Sequence, residues 1–476
     1  MFSTVLIANR GEIALRVMYA CRELGLRSVA VYSEADRDAL HVQYADDARL
    51  IGPPPATESY LNIPAIIGAA REARADAIHP GYGFLAENPA LAHACDDAGI
   101  VFIGPSARAM ERMGGKIAAR QEAQAVNVPV VLGTPGPVET PEEVRAFAAQ
   151  HGYPVAIKAS AGGGGRGLRI ATNADTVEEA FNAARREAEA YFKSGELYAE
   201  QYLAHPRHIE VQILADTHGT VLHLGERDCS VQRRHQKLIE EGPSPALDGS
   251  QRAAIGAAAV RLAQHVGYVG AGTMEFLWQN DAFYFLEMNT RIQVEHTVTE
   301  ALTGIDLVRW QLLIAQGVAL PWTQQDIVTR GHAIECRINA ENAADQFRPS
   351  LGTLHTYQEP HGLGVRVDSG FAQGTTIPPY YDSLIAKLVT WGQDRDEARA
   401  RMRRALDDFT IGGVHTTLPF HRWAMTQPVF AGGNATIRFV DEHFDEALLP
   451  PAAPVEPSPA PTPLEGARAF EVEVNG

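Results

Sequence analysis

The chain has 476 residues with 45% hydrophobic content, enough for roughly two to four domains and too long for one core. Its 41 basic against 58 acidic residues leave a net charge of -17, which excludes general affinity for nucleic acid or an anionic membrane, so any anionic ligand must be met by a local cluster. Cys21, Cys95, Cys229 and Cys336 lie far apart with no Cys-x-x-Cys pair, Arg10 arrives before any secretory apolar core, and no apolar run approaches membrane-spanning length. The expectation is a cytoplasmic protein with no zinc site and no disulfide framework.

Val5-Leu6-Ile7-Ala8 reads as a short buried strand, Ile13, Val17, Ala20 and Leu24 recur at helical spacing, and Val29-Ala30-Val31-Tyr32 is the next strand, a parallel βαβ opening. The turn between, Asn9-Arg10-Gly11-Glu12, lacks Gly-x-Gly-x-x-Gly, which disfavours a nicotinamide dinucleotide site. Strands alternate with helices through Ala77-Ile78-His79 and Val101-Phe102-Ile103-Gly104. Between them His79-Pro80-Gly81-Tyr82-Gly83-Phe84-Leu85 is a glycine-rich turn at a strand end, where open α/β sheets place ligands.

The character changes at Gly114-Gly115-Lys116, and Thr134-Pro135-Gly136-Pro137 marks a further boundary. Pro154 through Ala159 is an apolar strand carrying Lys158, followed by Ser160-Ala161-Gly162-Gly163-Gly164-Gly165-Arg166-Gly167. Consecutive glycines let backbone N–H groups close on phosphate oxygens without side-chain clash, and a nearby lysine adds charge. A flexible linker is disfavoured because Leu168-Arg169-Ile170 resumes at once, and no Gly-Lys-Ser/Thr follows to make a Walker A loop. Ala199 to Leu203 closes this segment, and His208 to Leu214 alternates as a strand. Next, Arg233, Arg234, His235 and Lys237 fall within five residues, flanked by Glu226, Asp228, Glu240 and Glu241, which predicts a small-anion pocket.

The stretch on which the rest depends is Glu287-Met288-Asn289-Thr290-Arg291-Ile292-Gln293-Val294-Glu295, after the apolar run Phe283 to Leu286. In extended backbone its alternate residues Glu287, Asn289, Arg291, Gln293 and Glu295 share one face. Oxygen ligands suited to a hard divalent cation stand there beside an arginine suited to a planar anion. Glu275 lies upstream on Thr273 to Trp278, and a short turn through Gln279-Asn280-Asp281 would make an antiparallel hairpin with Glu275 opposite Glu287. Facing carboxylates repel, and a magnesium ion between them removes the repulsion.

Together these segments resemble a biotin carboxylase of the ATP-grasp superfamily, and the likeness continues through Glu335-Cys336-Arg337-Ile338-Asn339-Ala340-Glu341 and Pro378-Pro379-Tyr380-Tyr381-Asp382-Ser383. The resemblance implies a multidomain α/β and α+β fold. It has a Rossmann-like N-terminal domain over 1–113, an ATP-grasp domain over 114–330 with a mobile lid near 130–203, and a biotin carboxylase C-terminal domain over 331–446. It implies that Lys116 and Lys158 contact ATP phosphates beneath Gly163, Gly164 and Gly165, that Glu200 and Leu203 hold adenine, and that His208, Gln232 and His235 lie near the ribose and phosphates. Glu275, Glu287 and Asn289 would bind Mg2+ or Mn2+. Lys237, Arg291, Gln293 and the Val294 backbone would hold bicarbonate, Glu295 would deprotonate it, and Arg337 and Tyr82 would face biotin. Gln201 stands where a lysine is common in the family, a departure that touches only the adenine contacts.

The implied reaction is ATP-dependent carboxylation of biotin on a carrier protein, through carboxyphosphate, as in the acetyl-CoA carboxylase of fatty acid biosynthesis. Carboxyltransferase subunits and a second copy in a homodimer are the other implied partners. Two rivals are another ATP-grasp ligase, joining a carboxylate to an amine without need of Arg337 or the bicarbonate row, and a non-catalytic nucleotide-binding regulatory module, which predicts missing acids or lysines. Positions 450 to 463 are half proline, an extended linker, and Phe470 to Val474 alternates like the opening strand of a biotinyl domain, so 447–476 is expected to be a linker and the start of such a domain. No Met-Lys-Met occurs, so biotin is expected on another polypeptide.

Overall fold

Val5, Leu6 and Ile7 are fully buried because β1 (Thr4–Ile7) lies at the centre of a five-stranded parallel sheet. The structure, a computed structural model, describes residues 1–160 and 167–449. The predicted phosphate-loop glycines Gly163, Gly164 and Gly165, and the proline-rich segment with the strand after it, lie outside the described residues. Around β1 the order is β3 (Asp47–Gly52), β2 (Arg27–Ser33), β1, β4 (Ala77–His79) and β5 (Val101–Phe102). Strand order reverses between β1 and β4, so the turns after these two strands open side by side where doubly wound sheets hold ligands. Asn9 ties them, its Nδ2 donating to the carbonyls of Pro80 at 2.8 Å and Tyr82 at 2.7 Å. Gly81 has φ +64, and a Cβ there would lie 2.8 Å from the Asn9 amide nitrogen, so only glycine fits.

The predicted lid is a three-stranded antiparallel sheet, β6 (Val155–Ala159) between β7 (Leu168–Ala171) and β8 (Leu197–Gln201). Val155, Ile157 and Ala159 pack with Phe147 and Phe181 in a core of the lid's own, while Lys158, on the opposite face of the pleat, points to the cleft. The Thr134 to Pro137 segment passes along the edge of β8, through bridges at Gly133 and Val138.

Facing the lid is an eight-stranded antiparallel sheet built from β9 (Arg207–Ala215), β10 (Val221–Arg233), β11 (Gln236–Gly242), β12 (Gly270–Gln279), β13 (Ala282–Asn289), β14 (His332–Asn339), β15 (Val365–Ser369) and β16 (Leu384–Gly392). Its order is β13-β12-β9-β10-β11-β14-β16-β15, so one sheet runs across residue 330 into the C-terminal region. On β9, Ile209, Val211 and Ile213 pack with the helix Gly249–Val266, each buried aliphatic side chain contributing about 1.5–3 kcal/mol. His208, Glu210 and Gln212 alternate with them and are buried too, so the polar face of this strand is interior, covered by the groups described next. Two-residue turns at Asn280-Asp281 (φ +53 and +58) and Arg234-His235 (φ +49 and +66) have the type I′ geometry that matches strand twist. The first fixes the register from Gln279–Ala282 to Phe276–Phe285, and a bulge at Leu286 then shifts it by one residue and sets Glu275 opposite Glu287.

Candidate active site

The lid, the large sheet and the loop after β4 enclose a cleft of about 620 Å³. All the predicted site residues within the described part of the chain line it: Tyr82, Lys116, Lys158, Glu200, Leu203, His208, Gln232, His235, Lys237, Glu275, Glu287, Asn289, Arg291, Gln293, Val294, Glu295 and Arg337. Sheet register does much of the gathering, because Glu275 pairs in register with Glu287 on one side and Glu210 on the other, and Glu210 with Arg227.

Two expectations are corrected. The polar row is extended only as far as Asn289, where β13 ends. Beyond it the chain turns inward, because Glu87 accepts from Thr290 N at 2.8 Å and from Arg291 Nε at 3.0 Å. Gln293 and Glu295 thus reach the cleft from a turn ahead of the helix His296–Thr303, not by strand alternation. Nor do the four clustered basic groups form one anion pocket. Arg233 stacks 4.7 Å from the Phe347 ring centroid and Arg234 is exposed at the turn, whereas His235 and Lys237 line the cleft.

Where β8 borders the cleft, Glu200 accepts from Lys158 Nζ and, at 3.1 Å, from Arg120 Nη1. Lys116 opens the helix Lys116–Ala125. Burial lowers its pKa, and Glu287 opposes that shift.

Toward the other end, three carboxylates converge on one ammonium. Lys237 Nζ donates to Glu210 at 2.5 Å, Glu295 at 2.6 Å and Glu275 at 2.9 Å. Arg337 bridges two acids, Nε to Glu240 at 2.6 Å and Nη2 to Glu295 at 2.8 Å. Arg227, fully buried, donates to Glu210 at 2.6 Å and to Gln212 and Thr299 at 2.7 Å. Burial would raise the Glu295 carboxyl, but Lys237, Arg337 and Arg227 hold it well below the usual carboxylate range. Burial pushes Glu240 up to about 7, against the pull of Arg337.

The donor set fits a hard divalent cation. Glu287 is partly buried opposite Glu275 and accepts no hydrogen bond from the described residues, and burial together with Glu275 raises its pKa. Two carboxylates with the Asn289 amide alongside are oxygen ligands of the kind Mg2+ or Mn2+ takes, and a cation would relieve the repulsion between them.

A cleft between a β-sheet lid and a larger antiparallel sheet, with lysines on the lid side and paired acids beneath, defines an ATP-dependent ligase of the ATP-grasp class. Three family profiles match the chain, described as the biotin carboxylase N-terminal domain (residues 1–110), the carbamoyl-phosphate synthase L chain ATP binding domain (115–323) and the biotin carboxylase C-terminal domain (335–442). The chain belongs to the biotin carboxylase family. It is 54% identical to the biotin carboxylase of Nostoc sp. over 93% of this chain and 99% of that one. It is 51% identical to biotin carboxylase 1 of Bacillus subtilis over 93% and 99%. The crystallised biotin carboxylase domain dimer of Hydrogenobacter thermophilus 2-oxoglutarate carboxylase, in complex with MgADP and bicarbonate, superposes with a TM-score of 0.89 at 48% identity, covering 93% of this chain and 98% of that chain.

Sequence reasoning missed Glu210, Glu240, Arg227, Arg120 and Glu87. Glu210 had a signal, since it lies between His208 and Gln212 on an alternating strand. Glu240 was visible only as a flanking acid. Arg227 is 0% exposed, and no local pattern marks an arginine that is wholly interior.

Proposed function

We propose that Glu295, held between Lys237 and Arg337 at the end of a nucleotide cleft, is the base of an ATP-dependent carboxylation of biotin carried on a partner protein. That arrangement carries the reading: a carboxylate kept ionised by two cations, next to donors for a small planar anion. Lys116 and Lys158 would neutralise the ATP phosphates beneath the lid glycines Gly163, Gly164 and Gly165, Glu200 and Leu203 would hold the adenine, and His208, Gln232 and His235 would line the ribose and phosphate path. Glu275, Glu287 and Asn289 would hold Mg2+ or Mn2+, which supplies charge neutralisation at the phosphates. Lys237, Arg291, Gln293 and the Val294 backbone would orient bicarbonate for attack, the arginine fork matching its plane. Glu295 would take the bicarbonate proton as its oxygen attacks the γ-phosphorus, giving carboxyphosphate and ADP. Carboxyphosphate would break to carbon dioxide and phosphate, and the phosphate would accept the ureido proton of biotin. Charge would then develop on the ureido oxygen, where Arg337 would stabilise it, with Tyr82 on the biotin side. A closed lid keeps water from the mixed anhydride.

We further propose domain limits at 1–113, 114–330 and 331–446, with a lid near 130–203. The partners proposed are a biotin carrier protein or domain in trans, carboxyltransferase subunits and a second copy of this chain. Cys21, Cys95, Cys229 and Cys336 are free and buried, which supports a reducing cytoplasm. Among the described residues no helix is long and apolar enough to cross a membrane. The final acceptor, whether acetyl-CoA, propionyl-CoA, pyruvate or another, is chosen by the carboxyltransferase. The test measures ADP release with and without bicarbonate and free biotin. Release that requires bicarbonate, rises with biotin and disappears in Glu295→Ala supports the assignment. Turnover that requires an amine and ignores bicarbonate would refute it.

A further inference from the structure

A lysine ammonium taken wholly out of water is costly unless it is paired and hydrogen-bonded. Lys387, on β16, is 0% exposed and does not line the cleft. Its Nζ lies 3.0 Å from Glu12 Oε1 and 3.9 Å from Asp368 Oδ2, and donates to the backbone carbonyl of Val294 at 3.1 Å. Glu12 Oε1 also accepts from the Tyr82 hydroxyl. Burial and Glu12 keep that phenol well above its ordinary pKa, so it remains the donor. One ammonium thus joins the turn beside Glu295 to the loop after β4, two segments far apart in sequence that face different substrates. The approach depends on Gly370, where a Cβ would lie 2.6 Å from the Glu12 backbone nitrogen. An apolar side chain at 387 would fill the space without a charge to satisfy, and would leave the Val294 carbonyl and the Glu12 carboxylate unanchored.

We propose that Lys387 is a positioning residue that couples the bicarbonate end of the site to the biotin end, through the Val294 carbonyl on one side and through Glu12 and Tyr82 on the other. This deepens the functional reading above and rests on it for the roles of Val294 and Tyr82. Coupling of this kind is a property of the pair of substrates, so it predicts effects that cross from one end to the other.

The test uses two variants of the full chain, reading the KM for ATP, bicarbonate and free biotin separately. Lys387→Met/Glu12→Gln removes both charges together, so no lone buried charge remains and the melting temperature should stay near that of the wild type. The bicarbonate and biotin KM values should both rise about five- to thirtyfold, with the ATP value unmoved. Tyr82→Phe removes a single hydroxyl from the biotin side and leaves the ion pair intact. It should raise the bicarbonate KM as well as the biotin KM, because Glu12 loses the partner that orients it against Lys387. A folded double variant with wild-type KM values for both substrates, a uniform rise in all three values, or a Tyr82→Phe effect confined to biotin would each overturn the coupling. Those results would appear in an enzyme still dependent on bicarbonate. Wild-type ADP release that ignores bicarbonate would instead overturn the functional reading, and the coupling with it.

Discussion

Replacing Arg337 with methionine removes a guanidinium that touches both Glu240 and Glu295, at 2.6 and 2.8 Å. At an effective dielectric of about 20, a pair of unit charges about 4 Å apart interacts by about 4 kcal/mol, so loss of two such pairs would threaten the fold if nothing compensated. Compensation is available in the resting protein. Glu240, pushed up to about 7 by burial, loses its main opposing charge and takes a proton at neutral pH, while Glu295 keeps Lys237. The variant should therefore fold and bind ATP much as the wild type does. A proton on Glu240 does not replace a cation beside the ureido oxygen, and losing one preorganised charge stabiliser costs about 10²–10³ in rate, or about 2.7–4 kcal/mol. ADP release coupled to carboxylation of free biotin should fall by about that factor, while the KM for ATP stays within about twofold. Arg337→Lys should recover only part of the loss, because a point charge cannot span two carboxylates as the fork does. Equal losses in biotin carboxylation and ATP binding, or biotin carboxylation within about tenfold of wild type, would refute the reasoning.

Glu287→Gln removes the repulsion across β12 and β13 together with a metal-binding oxygen: without divalent metal its melting temperature should equal or exceed that of the wild type, and added Mg2+ with ADP should stabilise it much less than the wild type. A matching Mg2+-dependent shift in both proteins would contradict the site. Glu240 has a folded-state pKa of about 7, above the ordinary carboxylate value of 4.5, so the folded protein holds more protons in that window and wild-type stability falls as pH rises through it. The melting temperature of Glu240→Gln relative to wild type should climb between about pH 5 and pH 8, and a flat difference would exclude a raised Glu240. Glu295 is held well below the usual range in the free enzyme, so the acid limb set by the base in kcat should lie at higher pH than its limb in kcat/KM for bicarbonate. Coincident limbs would mean that substrate leaves its basicity unchanged.

What was legible in the sequence follows from range. The βαβ opening and the β12–β13 hairpin could be read because periodicity and a two-residue turn act over a dozen residues or fewer, but the turn's own register would pair Glu275 with Leu286, and the bulge that brings Glu287 opposite has no local signal. The path after Asn289 could not, because its direction is fixed by Glu87, which is contributed by the loop after β4. Arg233 and Lys237 look alike in a basic cluster, yet one stacks on Phe347 and the other meets Glu210, Glu275 and Glu295. Only the tertiary partners separate them. Lys387 gave no signal at all, since an isolated lysine inside an apolar strand is ordinarily a side chain reaching for solvent.

The polar interior of the large sheet also accounts for a tension within the proposed chemistry. A carboxylate held by Lys237 and Arg337 is a weak base, and a base is what bicarbonate needs. In the free site these cations are committed to Glu210, Glu240, Glu275 and Glu295, so each of these four buried carboxylates has a cationic partner without ligand. An incoming anion competes for the same donors. On the proposed mechanism Lys237 would turn toward bicarbonate and withdraw from Glu295, and each lost contact would raise the basicity of that carboxylate beside the proton it is to take. The site would thereby make its base stronger only when a substrate is present, with Glu210 and Glu240, the acids missed in the sequence, holding the cations until that exchange.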